Sequence, residues 1–296
     1  MTFLALPPRR GHPLKALLRK EPEYTITPAD EGVNRLTFLG TAGFVVEHEA
    51  RTLVLDPYIS RPGIRQTLFG RLTPDELLLQ HTLPYAHDVL VGHSHYDHAL
   101  DAPAVCKLTG ARLLGSSHTL NIARAYGLPA VQMLEVQGGQ SVPCGPATAT
   151  ALPSRHGRVY FGRVTLPGPI PSPPPWPPRV TDLRCGAVYN WHLDLGGTRV
   201  LHVDSADFVD EHIEAHPADI LCLCAIGRAY RPDYTRRIIE LSRAKVVVPC
   251  HWDDFTLPSH TAPRQLPGVD VEGFVQESRA AGARAIVLGF GQSWRF

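Results

Sequence analysis

Lysine is nearly missing from this chain: Lys15, Lys20, Lys107 and Lys245 are its only lysines among 29 basic residues, and the rest are arginines. A GC-rich coding sequence leaves such a skew, and it carries no function of its own. Net charge is lacking too, at +1, which argues against the concentrated basic face that nucleic-acid binders present to phosphates. No run approaches the roughly 20 apolar residues needed to cross a bilayer. Met1 to Lys20 starts apolar but turns to Pro7-Pro8-Arg9-Arg10, without the apolar stretch or cleavage site of a secretory signal. The six cysteines form no C-x-x-C pair, so neither a zinc knuckle nor a disulfide framework is indicated. Cys222 and Cys224 share one face of a strand-like run and read as buried free thiols. Together these features place the protein in a reducing cytoplasm as an expectation.

What is present is an ordinary globular composition, 44% hydrophobic and 19% charged over 296 residues, enough to bury a substantial core. Residues 1–33 lack clear periodicity apart from a short basic stretch at Leu14–Lys20, and read as an extension draped over a domain at 34–296. From Arg35 on, strand-like runs come in quick succession: Leu36–Gly40, Gly43–Glu47 and Thr52–Leu55, the last ending in Asp56. After a mixed segment at 59–85, the apolar strand Asp88–Val91 leads into a histidine cluster. Helices are expected at Ala102–Leu108 and Thr119–Tyr126, stopped by Gly110 and Gly127. Strand Arg112–Leu114 lies between them, and strand Ala147–Leu152 follows. The second half alternates in the same way. It offers a hairpin around Gly196-Gly197, helix Phe208–Ala215, strand Asp219–Ala225, helix Asp233–Arg243, strand Lys245–Val248, helix Glu272–Ala281 and a closing strand Ala285–Leu288. Two successive blocks of strands then helices predict a layered α/β sandwich. Residues 167–178, PGPIPSPPPWPP, cannot be central strand or helix.

The strongest local signal is His93-Ser94-His95-Tyr96-Asp97-His98, an H-x-H-x-D-H pattern on the turn leaving a strand. Imidazole and carboxylate donors at this density suit Zn²⁺, although iron and manganese accept the same set. One such turn cannot complete two metal sites, so more ligands should stand at the ends of later strands. His156, Asp204 and His251 each occupy such an end. Taken singly, each is weak, because a polar residue at a strand end is more often a cap or turn residue; their common position makes the case.

On these residues the chain resembles a metallo-β-lactamase superfamily hydrolase over roughly 34–290. More narrowly, it is similar to the branch containing the ascorbate-phosphate lactonase and the N-acyl-phosphatidylethanolamine phospholipase D. The resemblance implies a four-layer αββα sandwich and two metal ions. His93, His95 and His156 would hold the first, and Asp97, His98 and His251 the second. Asp204 would bridge them, Asp97 would also serve as a catalytic residue, and Asp56 would stand behind the ligands. One departure is Val203, where the family commonly has glycine before the bridging carboxylate; Asp207, three residues on, is the alternative bridge. Asp253 and Asp254 are candidates for orienting an imidazole, or else form a solvated acidic turn.

Substrate contacts are less legible. Tyr96 lies inside the motif, Arg155 with Arg158 and Arg163 flanks His156, and Trp176 with Ile170 sits in the proline-rich segment. That segment reads either as a stiff apolar lip over the site or as a surface loop. His118, His192, His202 and His260 read as ordinary histidines. The expectation is hydrolysis of a lactone, ester, amide or phosphodiester in a small-molecule or lipid-like substrate, with no nucleic-acid partner and no transmembrane segment. The alternatives are an iron redox enzyme on the same fold and a non-catalytic relative.

Overall fold

The structure, a computed structural model, describes residues 32–258 and 262–296. The expected amino-terminal extension lies outside these residues except for its last two, and so does His260. Two seven-stranded sheets build the molecule. The first contains β1 (Arg35–Gly40), β2 (Gly43–His48), β3 (Arg51–Leu55), β4 (Asp88–Leu90), β5 (Arg112–Gly115) and β6 (Met133–Glu135), with β14 (Ser293–Arg295) on the edge beside β1. The second runs β7 (Ser141–Cys144), β8 (Ala147–Pro153), β9 (Tyr189–Asp194), β10 (Arg199–Val203), β11 (Ile220–Cys224), β12 (Val246–Cys250) and β13 (Arg284–Ala285). Each sheet is antiparallel on one side and parallel on the other. The inner faces meet where the His202 ring packs edge-on to Phe44 at 5.9 Å and its Nε2 donates to the Ala42 carbonyl at 2.8 Å.

Helices flank the sheets: α1 (Ile64–Phe69), α2 (Glu76–Thr82), α3 (Tyr96–Ala99), α4 (Ala102–Thr109) and α5 (Ser117–Tyr126) in the first half, α6 (Asp210–Ala215), α7 (Tyr234–Ser242) and α8 (Val271–Ala280) in the second. The metallo-β-lactamase sandwich expected from the sequence is therefore the observed fold. Its local logic is plain. β11, Ile-Leu-Cys-Leu-Cys, is buried throughout, as a parallel strand covered on both faces must be. α7 buries Tyr234, Ile238, Ile239 and Leu241 and turns Arg236 and Glu240 outward, where they pair at 2.9 Å. Gly110 and Gly127 end α4 and α5 in the left-handed conformation that glycine adopts without a steric cost.

Several boundaries differ from the sequence reading. The closing strand is only Arg284–Ala285, and the chain returns instead as β14 to pair with β1, Leu36 opposite Trp294. α6 begins at Asp210, not Phe208, because Phe208 is fixed in the core and its carbonyl accepts from Arg231. β6, β7 and β14, of three or four residues each, lie outside the strands read from the sequence.

Topology positions the site. β3 and β4 run parallel, as do β10, β11 and β12, and β8 points the same way as β10 because β9 opposes both. The carboxyl ends of β3, β4, β8, β10 and β12 therefore gather on one edge of the sandwich, the usual location for ligands in open α/β sheets.

Candidate metal centre

Each of those strand ends delivers a donor. β3 ends at Asp56, β4 leads to the turn 93–98, and β8, β10 and β12 lead to His156, Asp204 and His251. The seven candidate ligands fall into three overlapping groups: His93, His95 and His156; His93, His98 and Asp204; and Asp97, His98 and His251. Within each group one donor atom per residue lies within 4.8 Å of the others. His93 Nε2 faces His95 Nδ1 at 3.0 Å, and the His156 ring stands 4.8 Å from both rings. On the other side His251 Nε2 meets Asp97 Oδ2 at 3.2 Å, and His98 Nε2 is 3.8 Å from the same oxygen. Asp204 sits between, its Oδ2 at 2.6 Å from His93 Nδ1 and 3.7 Å from His98 Nδ1.

The donors match what a divalent cation requires. Burial holds the His93 and His98 imidazoles far below the ordinary histidine range, and burial with His156 nearby brings His95 down to about 4. Burial lowers His156 as well. Neutral imidazoles keep a lone pair to offer. Burial would push the Asp97 carboxyl up, yet the imidazoles of His98 and His251 hold it well below the usual carboxylate range. Asp204 Oδ1 and His251 Nδ1 are buried without a hydrogen-bond partner among the described residues. Buried polar atoms are rarely left so, and three buried carboxylates, Asp56, Asp97 and Asp204, face mostly neutral rings. Cations at these positions would satisfy both demands, so the residues present fit such ions.

A supporting layer holds the donors in place. Asp56 accepts from His98 Nδ1 at 2.8 Å through one oxygen and from the Gly92 amide at 2.7 Å through the other. Burial, and then the Asp204 charge, raise its pKa. His156 Nδ1 donates to the Gly157 carbonyl at 2.7 Å, and His95 Nε2 faces the Leu166 carbonyl at 3.4 Å. These contacts fix which nitrogen of each ring faces the centre.

Asp207 is not at the cluster: it accepts from Arg231 and from the Phe208 amide, so Asp204 holds the central position. Asp253 hydrogen-bonds to no imidazole among the described residues. It forms a fully buried ion pair with Arg61 at 2.7 Å and accepts from the Thr41 amide at 2.8 Å, while Thr41 O accepts from the His251 amide. Asp254 accepts from Thr256. Tyr96 packs edge-on against Tyr58 at 5.7 Å. Arg155 is exposed. The ring partner of Trp176 is Tyr126, at 5.1 Å, not a histidine of the cluster. The proline-rich segment lies along α5 through Ile170, whose carbonyl accepts from Asn121. Its base is tied to the centre through Leu166 and through Cys185, whose carbonyl accepts from Ser94. His118, His192 and His202 bond backbone groups elsewhere.

Two contributors escaped the sequence reading. Gly92 leaves room for the central carboxylate: a Cβ there would lie 2.1 Å from Asp204 Oδ2. A glycine directly before the H-x-H-x-D-H turn was the available signal. Arg61 lies in a loop 192 residues from its partner Asp253, and nothing along the chain marks it. All six cysteines are free and buried, and among the described residues no helix is long and apolar enough to cross a membrane.

Comparison with known proteins bears on this geometry. The family model described as a Beta-lactamase superfamily domain matches residues 51–266. A metal-dependent hydrolase of Carboxydothermus hydrogenoformans is 29% identical over 263 residues, covering 87% of this chain and 98% of that protein. One from Archaeoglobus fulgidus is 24% identical over 270 residues, covering 88% and 99%. Among solved structures, a metallo hydrolase from Ignicoccus hospitalis superposes with a TM-score of 0.61 at 19% identity, covering 89% of this chain and 99% of that one. A diiron β-hydroxylase from Streptomyces venezuelae gives 0.59 at 17% identity, over 90% and 55%. The two structures share the fold. The chain belongs to the beta-lactamase superfamily, with the metallo-β-lactamase fold and with relatives named as metal-dependent hydrolases.

Proposed function

We propose that this protein is a two-metal hydrolase that cleaves a lactone, ester, amide or phosphodiester bond in a small or lipid-like substrate. The observation that carries the reading is the convergence of seven donors from four strand ends into two groups joined through His93, His98 and Asp204. His93, His95 and His156 would hold one ion, Asp97, His98 and His251 the other, and Asp204 would reach both. When bound, a pair of divalent cations supplies Lewis acidity and a hydroxide nucleophile at neutral pH.

The chain's own residues do the rest. Asp56 and the Leu166 and Gly157 carbonyls hold the tautomers of His98, His95 and His156. Asp97, kept ionised, is a hydrogen-bond acceptor beside the reacting centre and can orient a nucleophile there. Phe255, edge-on to the His251 ring at 5.2 Å, helps keep bulk water from that side. The likeness to the branch containing the lactonase and the lipid phosphodiesterase rests on the H-x-H-x-D-H turn together with His156, Asp204 and His251, and zinc is the metal this donor set favours. A cytoplasmic location agrees with six free thiols.

The test is elemental analysis of protein purified without added metal, followed by assays on lactones, p-nitrophenyl esters and bis-p-nitrophenyl phosphate. Two equivalents of zinc with turnover of one class is the expected result. Because one structural neighbour is a diiron β-hydroxylase, stoichiometric iron with a visible charge-transfer band and no hydrolysis would replace this reading with redox chemistry.

A further inference from the structure

We propose that Arg61, Asp253 and Thr41 form a buried lock that sets the affinity of one metal position alone, that of Asp97, His98 and His251. The inference rests on the two-metal reading above and adds positioning residues to it. None of the three belongs to a donor group; each acts through another residue.

The histidines of the centre are not held alike. His98, His156 and His95 each turn a ring nitrogen to a group outside the donor set. These groups are the Asp56 carboxylate at 2.8 Å, the Gly157 carbonyl at 2.7 Å and the Leu166 carbonyl at 3.4 Å. His93 is wedged between two other donors, His95 and Asp204. His251 stands at the rim with no such tie among the described residues. Its ring meets Asp97, itself a candidate ligand, at 3.2 Å, and its Nδ1 is buried without a hydrogen-bond partner. What fixes His251 is its backbone. It takes φ 53°, a left-handed conformation that persists where the surroundings over-determine it. Its amide donates to the Thr41 carbonyl at 2.5 Å.

Thr41 is gripped at its other polar atoms as well. Its amide donates to Asp253 Oδ1 at 2.8 Å, and its Oγ1 accepts from Arg61 Nη2 at 3.2 Å. The same Arg61 nitrogen meets Asp253 Oδ2 at 2.7 Å, which closes a ring of three buried residues behind His251. The corner is shaped to admit the guanidinium: at Gly40, with φ 97°, a Cβ would lie 1.9 Å from Arg61 Nη2. The Phe290 ring covers the guanidinium at 4.5 Å.

Selectivity follows from where Arg61 stands. It belongs to the loop that leaves β3, and that loop starts at Asp56. Asp56 orients His98 and the lock places His251, so both ends of one loop bear on the same donor group. His95 and His156 rest on the Leu166 and Gly157 carbonyls instead. A buried ion pair adds little net stability over a well-packed apolar pair, so stability alone does not account for one at this corner.

The experiment is a double-variant cycle: wild type, Arg61→Met, Asp253→Leu and the two together. Each protein is stripped by chelation and titrated with Zn²⁺ against a chromophoric competitor, and its stability is read by chemical denaturation. His251→Ala and His156→Ala identify the two zinc steps, since each removes a donor of one group only. Each single variant should weaken the His251 step by about 10- to 100-fold, as loss of a support behind a ligand does. The His156 step should be unchanged. The paired variant, which strands no charge, should recover stability while its His251 step stays weak, because apolar side chains no longer hold Thr41.

Two zinc steps unchanged across the cycle would overturn the lock and leave the two-metal reading intact. So would equal weakening of both steps, or a paired variant that regains zinc affinity together with stability; either would reduce the residues to packing. A wild-type protein that takes up fewer than two zinc ions would overturn the two-metal reading and this inference with it.

Discussion

Replacing Gly92 by alanine isolates the steric basis of the site. The glycine has an ordinary backbone conformation, so alanine costs nothing in φ, and the whole effect comes from one methyl group. That methyl would lie 2.1 Å from Asp204 Oδ2 and 2.7 Å from its Cγ, where Cβ contacts below 3.0 Å are essentially never seen. The carboxylate must therefore retreat by about 0.9 Å (3.0 − 2.1). Its Oδ2 lies 2.6 Å from His93 Nδ1, so the retreat also pulls on a ligand ring. A displacement of about 1 Å at a reacting centre costs on the order of 10²-fold in rate, and overpacking a buried position costs about 1–3 kcal/mol. The expected result is a folded protein, melting a few degrees lower, that loses metal on dialysis and hydrolyses about a hundredfold more slowly. Circular dichroism, elemental analysis and steady-state rates read the three effects separately. A Gly92→Ala protein that retains both metals and wild-type turnover would refute the central placement of Asp204.

Three further outcomes follow from the same contacts. Asp204→Ala should abolish activity and reduce metal content, whereas Asp207→Ala, which removes one partner of Arg231 and the acceptor of the Phe208 amide, should leave metal content intact; equal effects in elemental analysis would count against the assignment. Breaking the fully buried Arg61–Asp253 pair with Arg61→Met should cost about 3–5 kcal/mol by stranding a charge, and Arg61→Met with Asp253→Leu should recover part of that in chemical denaturation. The six buried thiols, with Cys185 pushed up to about 12 by burial and the Asp204 charge, should be unreactive to a thiol reagent in the native protein and all titrate in guanidinium; fast reaction of any native thiol would contradict this burial.

Much of this site is legible in the sequence because its information is local. The H-x-H-x-D-H turn needs six consecutive residues, and His156, Asp204 and His251 each follow an apolar run that announces a strand end. Asp56 is found by the same rule. Residues whose role depends on contact across the fold are silent. Arg61 has no periodic context, and its meaning arises only when β12 brings Asp253 beside the loop after β3. Asp204 fits the strand end better than Asp207 along the chain, but only the folded turn shows which carboxylate faces inward and which meets Arg231. β14 shows the same limit: three residues are too few to announce a strand, and they become one because β1 offers a free edge.

Left-handed, non-glycine residues add an energetic argument. Thr41, Asp56, Arg61 and His251 all have positive φ, between 41° and 55°, and three of them are linked: Arg61 donates to Thr41 Oγ1, and the His251 amide donates to Thr41 O. Such conformations cost about 1–3 kcal/mol each and persist where the surroundings over-determine them. Arg243 has φ 59° as well, but it is exposed at the end of α7, before the start of β12, whereas His251 follows that strand's far end. Glycine substitution therefore divides the two cases. Arg243→Gly should raise stability by about 1 kcal/mol with metal content and turnover unchanged. Thr41→Gly relieves similar strain but loses the Oγ1 contact worth about 0.5–1.5 kcal/mol, so its stability should stay near wild type while the loop beneath His251 loosens and turnover falls. If Thr41→Gly instead gained stability and kept full turnover, the strain around the centre would be incidental to holding His251, and the rigidity argued for this edge of the sandwich would lose its basis.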